Sequence, residues 1–368
     1  MKVAIVHDWL VVSGGAEKVL KNLIAVFPDA DLFTLVDFLP DEERDFLGRR
    51  QVKTSFIQNL PFAKSRYRSY LSLFPLAIEQ FDLTGYDLVV SSSYAAAKGV
   101  ITGPDQLHLC YCHSPARYAW DMQFSYLKQA GLDRGFKGLV AKLQLHYFRI
   151  WDARTAAGVD YFVANSDFIR RRINKCYRRE AEVIFPPVCV AGSDLNLQPR
   201  DDFYLTASRM VPYKRMDLVV QAFATMPNRK LVVIGDGPES ARIASLATPN
   251  ISLLGYQPDA VLRDHMRRAK AFVFAAEEDF GIIPVEAQAF GTPVIAYGKG
   301  GSLETVKPNV SGLHFTEQTV EAVVAAVNGF ESGRAFDPAM VRSHAEQFSE
   351  RAFQDKIRQA VANMQSRA

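Results

Sequence analysis

Scarcities in this 368-residue chain remove whole classes of function. No apolar run reaches the ~20 residues of a membrane-spanning helix, so the protein is expected to be soluble or peripheral. Only four cysteines occur, Cys110, Cys112, Cys176 and Cys189, without metal-ligand spacing. They read as reduced core thiols of a cytosolic protein. The formal charge of +3 is too small to imply a nucleic-acid partner. The first apolar strand, Val3–Val6, is not followed by G-x-G-x-x-G, which weighs against a nicotinamide-dependent enzyme. No signal peptide is read ahead of that strand, and the chain holds no short-period repeat and no low-complexity tract.

Apolar strands and helical segments alternate throughout. That pattern predicts an α/β protein with parallel sheets covered by helices, and 48% hydrophobic residues suffice for two cores. The first half carries strands at 3–6, 32–35, 87–90, 107–111 and 161–164; the second carries strands at 203–207, 231–234, 251–254, 271–275 and 293–296. A Pro-Pro break at 186–187 and a polar stretch at 192–202 separate them. The expected domains are therefore 1–187 and 188–345, with a helical tail at 346–368 whose apolar stripe is Phe353, Ile357, Val361 and Met364.

Two charge clusters in the second half point to a ligand. Arg209 and Lys214 follow the strand 203–207, at the end that faces the crevice in an open parallel sheet. Arg binds phosphate through two N–H groups and Lys acts as a compact charge. Glu278 and Glu286 frame Phe280-Gly281-Ile282-Ile283 ahead of a helix expected at 284–290, with Pro284 at its first position and Glu286 in its first turn. The helix N-terminus attracts phosphate oxygens, whereas an ionised carboxylate only accepts hydrogen bonds and must face hydroxyls. A ligand that is anionic in one part and hydroxyl-rich in another, such as a nucleotide diphosphate sugar, fits both. Acids that merely complement the helix dipole, and a solvated basic turn, are the plainer readings. Gly14-Gly15 after the first strand lets backbone N–H groups approach an anion, or is an ordinary glycine turn. Asp29-Ala30-Asp31 spells a metal-binding D-x-D, but it precedes the second strand, at the wrong sheet edge, and reads as a turn. No metal site and no cofactor are expected.

These residues carry a resemblance. Gly14-Gly15, His113 in Cys-His-Ser-Pro, Arg209 with Lys214, Gly235-Asp-Gly-Pro-Glu239, the E-x7-E pair Glu278/Glu286, and Gly300-Gly301 with Glu304 are similar in order and spacing to the retaining glycosyltransferases of family 4. The resemblance covers nearly the whole chain. It implies the GT-B architecture, two Rossmann-like domains facing across a cleft, with the last helix crossing back to the first domain. It also implies metal-independent, same-face transfer without a covalent nucleophile. Arg209 and Lys214 would stabilise the diphosphate, Glu286 would hold the ribose and Glu278 the donor sugar. Backbone at Phe280–Ile283 and Gly300-Gly301 would complete the donor pocket. His113 is implied at the reacting region, and Tyr111 and Arg117 on the acceptor side. Similarity to bacterial O-antigen and exopolysaccharide mannosyltransferases makes GDP-mannose the favoured donor.

Two basic, aromatic-bearing segments, 61–74 and 169–179, are compatible with contact to anionic membrane or with solvated helix faces. Within a domain that the resemblance assigns to acceptors, they make a polyprenyl-diphosphate-linked glycan the expected acceptor and the inner face of the cytoplasmic membrane the expected location. A nucleotide-sugar epimerase on the same scaffold, a nicotinamide-dependent dehydrogenase and a non-catalytic sugar-nucleotide-binding partner remain the alternatives.

Overall fold

The computed structural model describes residues 1–190, 199–333 and 335–366. Apolar strands buried on both faces fill the middle of a parallel sheet, as in Val3–His7 and Leu88–Ser93, while the short edge strands stay partly exposed. Seven strands, β1 (Val3–His7), β2 (Asp31–Thr34), β3 (Val52–Thr54), β4 (Leu88–Ser93), β5 (Leu107–Cys112), β6 (Tyr161–Ala164) and β7 (Ala181–Val183), pair in the order β3-β2-β1-β4-β5-β6-β7. Every pairing is parallel, with Ile5 opposite both Leu32 and Val90. Alternate residues of β1 serve opposite cores. Val3 and Ile5 pack with Leu20, Leu23 and Leu32, while Ala4 and Val6 pack with Phe33, Phe74 and Ile78.

A second sheet is built from β8 (Tyr204–Ala207), β9 (Leu231–Ile234), β10 (Ile251–Leu253), β11 (Ala271–Phe274), β12 (Val294–Tyr297) and β13 (Gly312–Phe315). Its order is β10-β9-β8-β11-β12-β13, again all parallel. In both sheets the strand order reverses beside the first strand, between β1 and β4 and between β8 and β11. The carboxyl ends of strands at such a reversal are where doubly wound sheets bind ligands.

The chain divides into two compact units, Met1–Pro186 with Phe353–Ala368, and Pro187–Ala352. The final helix, Glu350–Gln365, belongs mostly to the first unit: its stripe Phe353, Ile357, Val361 and Met364 is buried among β1, β2 and β4 residues. Each such side chain stabilises that core by roughly 1.5–3 kcal/mol. Most of the polar stretch read as a linker lies outside the described residues. The cysteines divide: Cys110 and Cys112 are core thiols, but Cys176 is half-buried and Cys189 is exposed, so the core reading fails for the latter. Cys189 follows Pro187-Val188 in a segment whose Val188, not the cysteine, turns inward. No described helix is long and apolar enough to cross a membrane.

Candidate functional site

Three adjacent strands of the second sheet, β8, β11 and β12, end on loops that converge. The β8 loop carries Lys214 and the β11 loop carries Glu278, and the two side chains form an ion pair. Both are largely shielded, at 17% and 19% exposure, so the pair is held rather than solvated. The β12 loop closes over the same place. Glu278 forms an isolated parallel bridge with Gly300, and the Gly301 N–H donates to the Glu278 carbonyl at 2.8 Å. Glycine is required at both positions. Gly300 has φ +67° with its Cβ position against the Glu278 carbonyl, and a Cβ on Gly301 would collide with the Phe280 backbone. A side chain at either point would push the β11 and β12 loops apart.

The helix after β11 runs Ile282–Ala289, two residues earlier than its expected start. Gly281, at φ +85°, turns the chain into it. Pro284 therefore sits third rather than first, still within the turn whose N–H groups have no intrahelical acceptor. Glu286 falls in the second turn, half-buried, instead of the first. The N-terminal N–H groups are offered by Ile282 and Ile283, while Phe280 is buried against Phe348.

Arg209 is exposed in the β8 loop, and among the described residues its guanidinium makes no ion pair or side-chain hydrogen bond. The backbone around it is fixed: the Met210 N–H donates to the Asp236 carbonyl at 2.8 Å and the Glu239 N–H to the Met210 carbonyl at 3.0 Å. The Gly235–Glu239 stretch thus braces the cation-bearing loop. The backbone turns through a left-handed Arg215 (φ 52°) into the helix Met216–Ala224. Gln318 ties this turn to β11, accepting from Arg215 at 3.3 Å and donating to the Ala275 carbonyl at 2.7 Å.

In the first unit, Gly14 caps the helix Gly15–Val26. The Gly14 N–H is already engaged, donating at 2.8 Å to the carboxylate of Glu17 from the helix's own first turn. The other Glu17 oxygen lies 3.5 Å from Nε2 of fully buried His7, at the end of β1. His7 Nδ1 is 3.1 Å from the Ser92 hydroxyl at the end of β4, which is 2.8 Å from His113 Nε2 just after β5. Glu17, His7, Ser92 and His113 thus form a chain along the carboxyl ends of three neighbouring strands. Ser92 has one proton, so it donates to one imidazole and accepts from the other, which couples their tautomers. Burial, with a smaller contribution from His7, pushes His113 down to about 3. At neutral pH it is an uncharged hydrogen-bonding group, not an imidazolium acid. Ser92 and Glu17 escaped the sequence reading, although a Ser91-Ser92-Ser93 triplet ending an apolar strand was a visible signal.

Tyr111 requires correction as an acceptor-side candidate. It is fully buried on β5, packs on Phe353, and donates its hydroxyl to the Ile184 carbonyl at 3.0 Å. Strand alternation turns it into the core, opposite in sense to its neighbours Cys110 and Cys112. Arg117 stands half-buried in the loop beyond β5. Asp31 opens β2 opposite Ala4, at the amino end of the sheet, where it accepts from Tyr86 and, at 3.3 Å, from Lys53. Those partners hold its carboxyl below the usual range, the Tyr86 hydroxyl most of all.

Comparison with known proteins matches both units. Residues 13–191 match the family model described as Glycosyltransferase Family 4, and residues 193–355 the model described as Glycosyl transferases group 1. The chain is 28% identical over 211 residues to a D-inositol 3-phosphate glycosyltransferase of Mycobacterium marinum, covering 50% of this chain and 45% of that protein. It is 32% identical over 137 residues to a GDP-mannose-dependent alpha-(1-6)-phosphatidylinositol monomannoside mannosyltransferase of Mycobacterium tuberculosis, covering 33% of this chain and 36% of that protein. The matched stretch thus spans less than half the length of either relative. A sucrose-phosphate synthase from Thermosynechococcus elongatus superposes with a TM-score of 0.73 over 100% of both chains at 17% identity, a likeness of fold. With its two parallel doubly wound sheets and both family models matched in sequence, this chain belongs to the GT-B glycosyltransferases, joining a family 4 domain to a group 1 domain.

Proposed function

We propose that this protein transfers a sugar, with retention of anomeric configuration, from a nucleotide diphosphate sugar to a lipid-linked glycan in bacterial surface polysaccharide synthesis. The observation that carries the reading is the Lys214–Glu278 pair at the strand-order reversal of the second sheet, with the Gly300-Gly301 backbone packed directly on the Glu278 loop. A phosphate-binding cation and a hydroxyl-binding carboxylate within contact of each other match a ligand in which diphosphate and sugar are adjacent. GDP-mannose is the favoured donor. One curated relative carries that donor in its name, and the wider resemblance is to mannosyltransferases.

In the proposed reaction the bond between the sugar's anomeric carbon and the β-phosphate oxygen breaks, and its electron pair leaves with the phosphate. The acceptor hydroxyl attacks from the same face and passes its proton to that departing phosphate. Lys214 and Arg209 stabilise the charge as it develops, aided by the N–H groups of Ile282 and Ile283. Glu278 exchanges part of its ion pair for the donor sugar's hydroxyls, and Glu286 holds the ribose. Neutral His113, held by Ser92, hydrogen-bonds at the reacting region. Charge stabilisation by side chains and helix N–H groups is read as sufficient without a metal.

A panel of GDP-, UDP- and ADP-sugars, scored by thermal stabilisation and nucleotide release, tests the reading. Stabilisation and turnover confined to GDP-mannose support it. Isomerisation of the free donor sugar would instead indicate an epimerase, and binding without turnover in the presence of acceptor extracts would indicate a non-catalytic partner.

A further inference from the structure

The first unit contains a long helix, Gly135–Thr155, that is apolar on two faces. One face is accounted for: Gly138, Leu145, Phe148 and Trp151 are buried. The other is not. Phe136 (80%), Leu139 (54%), Leu143 (49%), Tyr147 (68%) and Ile150 (53%) are all exposed, as is Val140. At 3.6 residues per turn these six positions fall within an arc of about 100°, forming one continuous stripe along the helix. Isolated exposed apolar residues need no explanation, but a stripe this long marks an interaction surface.

The charges beside it decide the occupant. Lys137 flanks one side of the stripe, and Lys142 and His146 flank the other, all exposed. From Arg134 to Trp151 the sequence contains no acidic residue, and Asp152, which follows, is buried and paired with Lys98. A surface of one charge sign bordering an apolar band with aromatic residues has the chemistry of a helix lying in a lipid interface, apolar face down and cations at headgroup level. By contrast, the basic helix Asp167–Tyr177 turns Ile169, Ile173 and Tyr177 inward, and Arg170, Arg171 and Arg172 pair with Asp167 and Asp121. Two carboxylates thus offset part of its charge, and its apolar residues are turned away from solvent.

We infer that the exposed face of the helix Gly135–Thr155 docks this protein on a membrane bearing anionic lipid. The inference adds a location to the proposed lipid-linked acceptor, yet it is tested without donor or acceptor, so either reading can fail alone.

The experiment is co-flotation of the full chain with vesicles of phosphatidylcholine, with and without phosphatidylglycerol. The wild type should float with phosphatidylglycerol-containing vesicles and be released by salt. L139S/L143S and K137E/K142E should each weaken binding about tenfold or more, with unchanged melting temperature. R170E/R171E should leave binding unaltered. Absence of vesicle binding by the wild type, or unchanged binding by L139S/L143S, would overturn the inference. Conversion of a dimer to a monomer by L139S/L143S with no effect on vesicles would assign the face to a second copy of this chain.

Discussion

Lys214 and Glu278, 64 residues apart in sequence, meet as an ion pair because β8 and β11 are neighbours in a parallel sheet and both loops leave from its carboxyl edge. In the proposed reaction each partner keeps the other shielded and poised until phosphate and sugar hydroxyls replace part of the contact. Breaking a shielded pair by removing one partner strands the other.

Lys214→Ala and Arg209→Ala should each lower turnover by about a hundredfold or more, the scale of losing one preorganised charge donor. Arg209 is exposed, so its loss should leave the melting temperature unchanged. Lys214→Ala should lower it modestly, because Glu278 loses its partner. The check is steady-state nucleotide release alongside thermal melts; near-normal turnover in a folded Lys214→Ala protein would contradict the assigned role.

The two carboxylates should separate by ligand. Glu286→Ala should weaken GDP and GDP-mannose alike, whereas Glu278→Ala should spare GDP and weaken only GDP-mannose, each by about 1.5–3 kcal/mol. Calorimetry with both ligands measures this, and equal loss of GDP affinity in both variants would refute the ribose-versus-sugar division.

Gly301→Ala places a Cβ on the Phe280 backbone, so the β11 and β12 loops must separate. The expected cost is about 1–3 kcal/mol of stability, with donor affinity lost beyond that of a comparably destabilised core variant. Thermal melts and donor titration check it; an unperturbed Gly301→Ala protein would show that the loops do not depend on this contact.

His113 and the fully buried His108 should remain neutral well below the usual histidine range. Burial lowers them to about 3 and about 4 respectively. Below pH 6.5 the unfolded chain takes up protons that the folded state refuses, so stability falls as pH drops from 6.5 towards 4. His108 alone accounts for about 2 kcal/mol at pH 5. Imidazole nitrogen shifts by NMR should stay those of neutral tautomers from pH 8 to about pH 5. A midpoint near 6.5 for either ring would contradict the assignment. Ser92→Ala should alter the His113 tautomer balance without charging the ring.

Much of this was legible in the sequence because it is local. Short β-branched runs bounded by polar turns, such as Leu231–Ile234, read as strands, and in a parallel sheet the residues that follow them lie at one sheet edge. Long-range contacts were less accessible. That Lys214 would reach Glu278 depends on strand order, which no local pattern specifies. The start at Ile282 differs from the expected one because Pro284 is acceptable at more than one position of a first turn. Tyr111 looked available because it precedes His113, yet alternation along β5 sends its side chain to the core. Periodicity marks apolar faces of Gly135–Thr155 without saying which one the fold covers.

The most direct test of the account is proton NMR of GDP-mannose incubated with the purified protein and a crude lipid-linked glycan fraction. Appearance of GDP together with an α-mannosyl product, abolished by Lys214→Ala and preserved in excess EDTA and in an Asp29→Ala/Asp31→Ala protein, is the predicted result. A β-configured product, or activity lost on chelation and restored by manganese, would contradict it.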